Sequence, residues 1–150
     1  MLKLNYFLFV CVLLAPYCTC VAPFGQYVTV PECPKITTSP QITYKGKMTF
    51  IGAYVNMKKP PPQNSIPPSM FCIEVDFPPK NTGEEWGKVL GTDNKSFIVY
   101  YECTAIDKKA FSYSAYVFSK TKSRDPAIEK AVKEIFDKNK LSFKDFIYVC

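Results

Sequence analysis

The side chains able to do chemistry in this 150-residue chain are seven cysteines, thirteen carboxylates, nineteen cations and ten tyrosines, with no histidine at all. Without imidazole there is no Ser-His-Asp or Cys-His nucleophile and no His-ligated zinc. No glycine-rich phosphate loop of the GxGxxG or Walker type is present. Glu74 and Asp76 lie two residues apart, a spacing that puts both carboxylates on one face of a strand. That face is opposite the apolar one, so a solvated surface is expected there rather than an acid–base pair. The formal charge of +6 rests on lysines and a single arginine, Arg124. One guanidinium offers no array of bidentate readers, so nucleic acid is not expected as a partner. The chain is read as a non-enzyme that carries no metal or cofactor.

The cysteines are the strongest chemical signal. Residues 1–20 have the form of a secretory signal: Lys3, an apolar run from Leu4 to Leu14, then Pro16 and a cleavage point after Cys20. An 11-residue apolar run is too short for a hydrocarbon core that needs about 20. No later stretch reads as a transmembrane segment. Cleavage would leave a domain over 21–150 with Cys33, Cys72, Cys103 and Cys150. An even number of thiols in an exported chain predicts two disulfides, with three connectivities open. No two of these cysteines have the CxxC spacing of a zinc site. Asn94-Lys95-Ser96 forms a glycosylation sequon in an expected turn, which makes Asn94 a candidate acceptor.

The elements that must position these groups are mostly strands. Over 42–50, Ile42, Tyr44, Met48 and Phe50 alternate with Thr43, Lys45, Lys47 and Thr49, and Gly46 marks a hairpin or a bend. Residues 58–68 hold five prolines and read as an extended, polyproline-like loop. Over 71–77, Phe71, Ile73, Val75 and Phe77 share a face opposite Cys72, Glu74 and Asp76. Weaker strand patterns follow over 86–92, 97–103 and 111–118, with turns at 93–95 and 107–109. The period then becomes helical. Asp125 and Pro126 suit an N-cap and first turn, Ile128, Ala131, Val132, Ile135 and Phe136 form one apolar stripe, and Asn139 is expected as a left-handed stop. Phe143, Phe146 and Ile147 lead into a last extended piece that ends at Cys150.

On these residues the second half of the chain resembles the lipocalins, in the branch of apolipoprotein D and the insect bilin-binding proteins. Trp86 to Cys103, with Thr92-Asp93-Asn94 at the turn and Phe97 after it, is similar to that family's second signature. Residues 115–121 are similar to its third, and Glu32-Cys33-Pro34 to its opening cysteine. The first signature, Gly-x-Trp, has only Gly46-Lys47-Met48 to match it. The arginine that covers this tryptophan is replaced by Lys120, so both members of one cation–π contact are altered together.

The resemblance implies a mainly β fold: an antiparallel up-and-down lipocalin-like barrel with one C-terminal helix packed on the outside. Cys33 and Cys103 lie 70 positions apart, which is short for that family, so the barrel is expected to be incomplete. It should have fewer than the roughly eight strands that enclose one small ligand, which leaves a filled core, an open half-barrel or a barrel completed by another chain. The resemblance also implies the pairs Cys33–Cys103 and Cys72–Cys150. As function it implies a secreted, extracellular protein that binds or transports a small hydrophobic molecule. The ligand-lining candidates are Tyr44, Met48, Phe50, Phe71, Ile73, Val75, Phe77, Val99, Tyr101, Phe111 and Tyr113. The alternative is a secreted binder of a protein partner, acting through the Pro-rich loop and a lysine-bearing rim.

Overall fold

The computed structural model describes residues 28–38, 41–58, 72–77 and 87–150. The leader over 1–20, most of the Pro-rich loop, Phe71 and Trp86 lie outside the described residues. Among the described residues six strands form one antiparallel sheet: β1 (Gly46–Val55), β2 (Glu74–Phe77), β3 (Lys88–Thr92), β4 (Phe97–Asp107), β5 (Ala110–Ser119) and β6 (Phe146–Tyr148). Their order is β2-β1-β5-β4-β3, and β6 also pairs with β1. One edge of β1 runs along β5; the other takes β2 at its start and β6 at its end. Among the described residues the sheet does not close on itself, so the expected incomplete barrel is found.

Gly46 opens β1 at φ 138° and turns no hairpin. The strand continues to Val55, well past the alternating stretch, because a bulge breaks its period. Ile51 and Gly52 together oppose Val117, and Leu90 and Gly91 oppose Val99 in the same way on β3. Gly52 is required by close approach: a Cβ there would sit 2.5 Å from the Ile147 carbonyl oxygen and from the Phe146 ring.

Helix α1 (Pro126–Lys138) starts as its sequence indicates, with Asp125 accepting from the N–H groups of Ala127 at 2.9 Å and Ile128 at 3.4 Å. It buries Ile128, Val132 and Phe136 against the sheet. The left-handed residue after it is Lys140 at φ 58°, not Asn139, whose φ is −98°. Asn139 is needed in another role. Its buried side chain donates to the Ile135 carbonyl at 2.9 Å and accepts from the Thr37 N–H at 2.7 Å, tying the N-terminal segment to the helix end.

The apolar core has two layers, one on each face of the sheet. The convex layer, beneath α1, holds Ile51, Tyr54, Leu90, Phe97, Val99, Tyr101, Ala115 and Val117 with Ile128, Val132, Phe136, Leu141 and Phe146. The concave layer holds Met48, Phe50, Ala53, Phe77, Ile98, Tyr100, Phe118, Ile147 and Val149. Disulfides Cys33–Cys103 and Cys72–Cys150 join the N-terminal segment to β4 and the chain end to the residues before β2. Each should stabilise by about 2–4 kcal/mol.

Candidate functional site

The concave face of the sheet is the candidate site. Strand alternation sends Met48 and Phe50 of β1, Val75 and Phe77 of β2, Val89 of β3, Ile98 and Tyr100 of β4, and Tyr116 and Phe118 of β5 to this side. Phe118 is the hub of its floor. Its ring centroid lies 5.6 Å from Phe50, 5.3 Å from Phe77 and 6.0 Å from Tyr100, the last two edge-on. Phe77 and Tyr100 stack at 6.1 Å, and Tyr116 sits 6.1 Å from Phe50. These are the separations at which aromatic pairs attract beyond their buried area.

Of the lining candidates, Met48, Phe50, Val75, Phe77 and Tyr44 belong to this layer. Val99, Tyr101 and Tyr113 do not; they pack on the convex side beneath α1. Phe111 is half-buried near the open end, bridged to Val30, and has the same parity as Tyr113. Ile73 is 57% exposed. The sequence reading missed Ile98, Tyr100, Tyr116 and Phe118. The physical reason is that α1 makes the outer face of β4 and β5 apolar too, so Phe97 to Tyr101 reads as one continuous run. Glu74 and Asp76 lie on the convex side, where Glu74 pairs with Lys122 at 3.0 Å and Lys47 at 4.0 Å. The Lys122 ammonium, with Lys47 beyond it, holds the Glu74 carboxyl below its ordinary range.

Towards the β4–β5 hairpin the concave face becomes polar. Glu102 stands opposite Ser114, and Thr104 opposite Ser112. The Glu102 carboxylate accepts from the Tyr116 hydroxyl at 3.3 Å and from the Thr104 hydroxyl at 2.9 Å. The same alternation puts Lys47, Glu74, Asp76 and Lys88 on the convex side. Among the described paired residues below the hairpin tip, Glu102 is the charged side chain on the concave face.

At the far end the β3–β4 turn is closed by side chains. Asp93 accepts from the N–H groups of Lys95 at 2.9 Å, Ser96 at 2.7 Å and Phe97 at 3.1 Å, and from the Ser96 hydroxyl. Partial burial alone would raise the Asp93 pKa, but these donors outweigh it and hold the value down at about 2. Asn94 sits at φ 55° with its side chain bonded to Thr43 and Gln41.

The cation–π contact is made elsewhere. Met48 is buried in the concave layer and Lys120 is exposed, whereas Arg124 sits 3.9 Å from the centroid of the Tyr148 ring. Burial, together with the hydrogen bond to Glu129, pushes the Tyr148 hydroxyl above its ordinary range. Arg124, Glu129 and Tyr148 thus clasp the start of α1 to β6, outside the sheet.

Among the described residues no group of three or more acidic, cysteine or histidine side chains could hold a metal ion. No described helix is long and apolar enough to cross a membrane. At the level of sequence the chain matches no family model and no curated protein. Among solved structures it is similar to insecticyanin from the tobacco hornworm Manduca sexta, with a TM-score of 0.53 and 15% identity. The match covers 82% of this chain and 88% of that one. This likeness shows the fold, which is that of a lipocalin with its barrel unclosed.

Proposed function

We propose that this lipocalin-fold chain is a secreted, non-enzymatic protein that holds a small hydrophobic molecule against the concave face of its sheet. The observation that carries the reading is the floor of Phe50, Phe77, Tyr100, Tyr116 and Phe118, uninterrupted among the described strand residues by charge as far as Glu102. An apolar ligand laid on such a floor leaves water at a gain of about 25 cal/mol per Å². The disulfides fit the oxidising compartment to which residues 1–20 would deliver the chain. A glycan on Asn94 would replace one Nδ2 hydrogen and leave the other for Gln41. The test is displacement of a fluorescent fatty acid or retinoid from the purified, disulfide-intact protein. Saturable binding at micromolar probe is expected; its absence refutes the reading.

A second reading, a secreted binder of another protein, is favoured by one feature. Ile106 is the extra residue of a bulge at the β4–β5 hairpin and is 60% exposed beside Lys108 and Lys109. Capture of a partner that is lost in Ile106→Asp or on deletion of 58–68, with probe binding intact, would select this alternative.

A further inference from the structure

We propose that Glu102 makes the concave face a site for an apolar molecule carrying an amine, in preference to one carrying a carboxylate. This rests on the reading of that face as a ligand site and names the ligand class. Glu102 is half-buried on β4, two residues beyond Tyr100 on the same side of the strand, and its carboxylate is oriented by Tyr116 and Thr104. Those two hydroxyls occupy part of its acceptor capacity, since an ionised carboxylate offers about four lone-pair sites. The hydroxyl-bearing Ser114 and Ser112 stand across from Glu102 and Thr104 on β5. Among the described residues this end of the concave face therefore combines one anionic acceptor with small polar neighbours.

Each alternative headgroup meets this arrangement differently. An ammonium can donate to the carboxylate and lie beside the half-buried Tyr116 ring, gaining a charge-assisted bond and ring attraction. A carboxylate headgroup would face Glu102 as a like charge. Among the described strand residues the concave face supplies no lysine or arginine to neutralise it, because Lys47 and Lys88 fall on the other side. An alcohol would gain a neutral bond only.

The spacing also limits the ligand's length. From Ile98, which pairs with Phe118 at the aromatic hub, to Glu102 is four residues along β4. That is about 13 Å at the rise of an antiparallel strand. A compact ring system with a short amine arm spans this distance; a long extended chain would overrun the mouth.

The experiment is calorimetric titration of the full, disulfide-intact protein with three probes sharing one ring system: naphthylmethylamine, naphthylmethanol and naphthoate. The amine should bind about tenfold tighter than naphthoate. In Glu102→Gln that preference should vanish, the amine falling to the affinity of the alcohol. Asp76→Asn removes the same charge from the convex side and should keep the preference, and near-UV circular dichroism checks that both variants are folded. Equal affinities for the three probes, or a preference that survives in Glu102→Gln or disappears in Asp76→Asn, overturns the assignment to Glu102. Those outcomes leave a hydrophobic site standing. If none of the probes binds and the fluorescent ligand also fails, the site itself is refuted and this inference with it.

Discussion

Tyr101 offers a direct test of the two-layer packing. Its side chain lies in the convex layer at 3% exposure, and its hydroxyl has no hydrogen-bond partner among the described residues. Burial, with the Tyr113 hydroxyl nearby, pushes its pKa up to about 12. An unpaired buried hydroxyl costs roughly 1–3 kcal/mol, and Tyr101→Phe removes it without altering the ring. The ring contact with Tyr113, at 6.1 Å, is kept. The variant should therefore be more stable by about 1 kcal/mol. Urea unfolding with both disulfides intact should show the midpoint rising by roughly 0.5 M at an unchanged slope. Tyr113→Phe is the contrast, because that hydroxyl is hydrogen-bonded to Tyr54. It should lose about 1 kcal/mol. A lower midpoint for Tyr101→Phe, with the slope preserved, would mean that its hydroxyl is engaged and would refute the reasoning.

The other predictions follow from single contacts. Asp93 has a folded pKa near 2 against 3.8 for the free side chain, so it stabilises the fold above about pH 4 and loses this contribution as pH falls through 2. Asp93→Asn should flatten stability over that window and cost about 1 kcal/mol at neutral pH, read from acid titrations by circular dichroism. Gly52→Ala should cost about 3 kcal/mol, because the new methyl meets the Ile147 backbone and the Phe146 ring. Gly91→Ala should cost less in the same unfolding assay, since it meets only the movable Ile135 side chain. Arg124→Met should cost about 0.5–1 kcal/mol through loss of the Tyr148 ring contact.

Much of this architecture is legible in the sequence. The change from alternating to helical period located α1 and its cap, and the family resemblance indicated both cysteine pairs. The shortness of the Cys33–Cys103 interval indicates missing strands, while a filled core, an open half-barrel and a barrel completed by another chain all remain open in the sequence. What the pattern does not reveal is which side of each strand faces the concave layer. Alternation divides a strand into two sets, and polarity identifies the inward set only where the outward one is wet. On β1 and β2 lysines and carboxylates make that distinction, and Met48, Phe50, Val75 and Phe77 share the concave layer. On β4 and β5 the helix covers the outer face, both sets are greasy, and Val99, Tyr101 and Tyr113 pack beneath the helix. The bulges at Ile51-Gly52 and Leu90-Gly91 add to the difficulty, because an extra residue inverts the parity of all that follows. The Arg124–Tyr148 contact left no pattern to find, since its partners are distant in sequence and joined only when β6 docks.

The division of the interior has a consequence for how such a chain can change over generations. The concave layer and the helix seat draw on alternate positions of the same ribbons, so a substitution at Phe118 or Tyr116 repacks the concave layer while Val117 and Ala115 continue to seat the helix. One side of each ribbon can drift one letter at a time while the scaffold's anchorage is inherited unchanged.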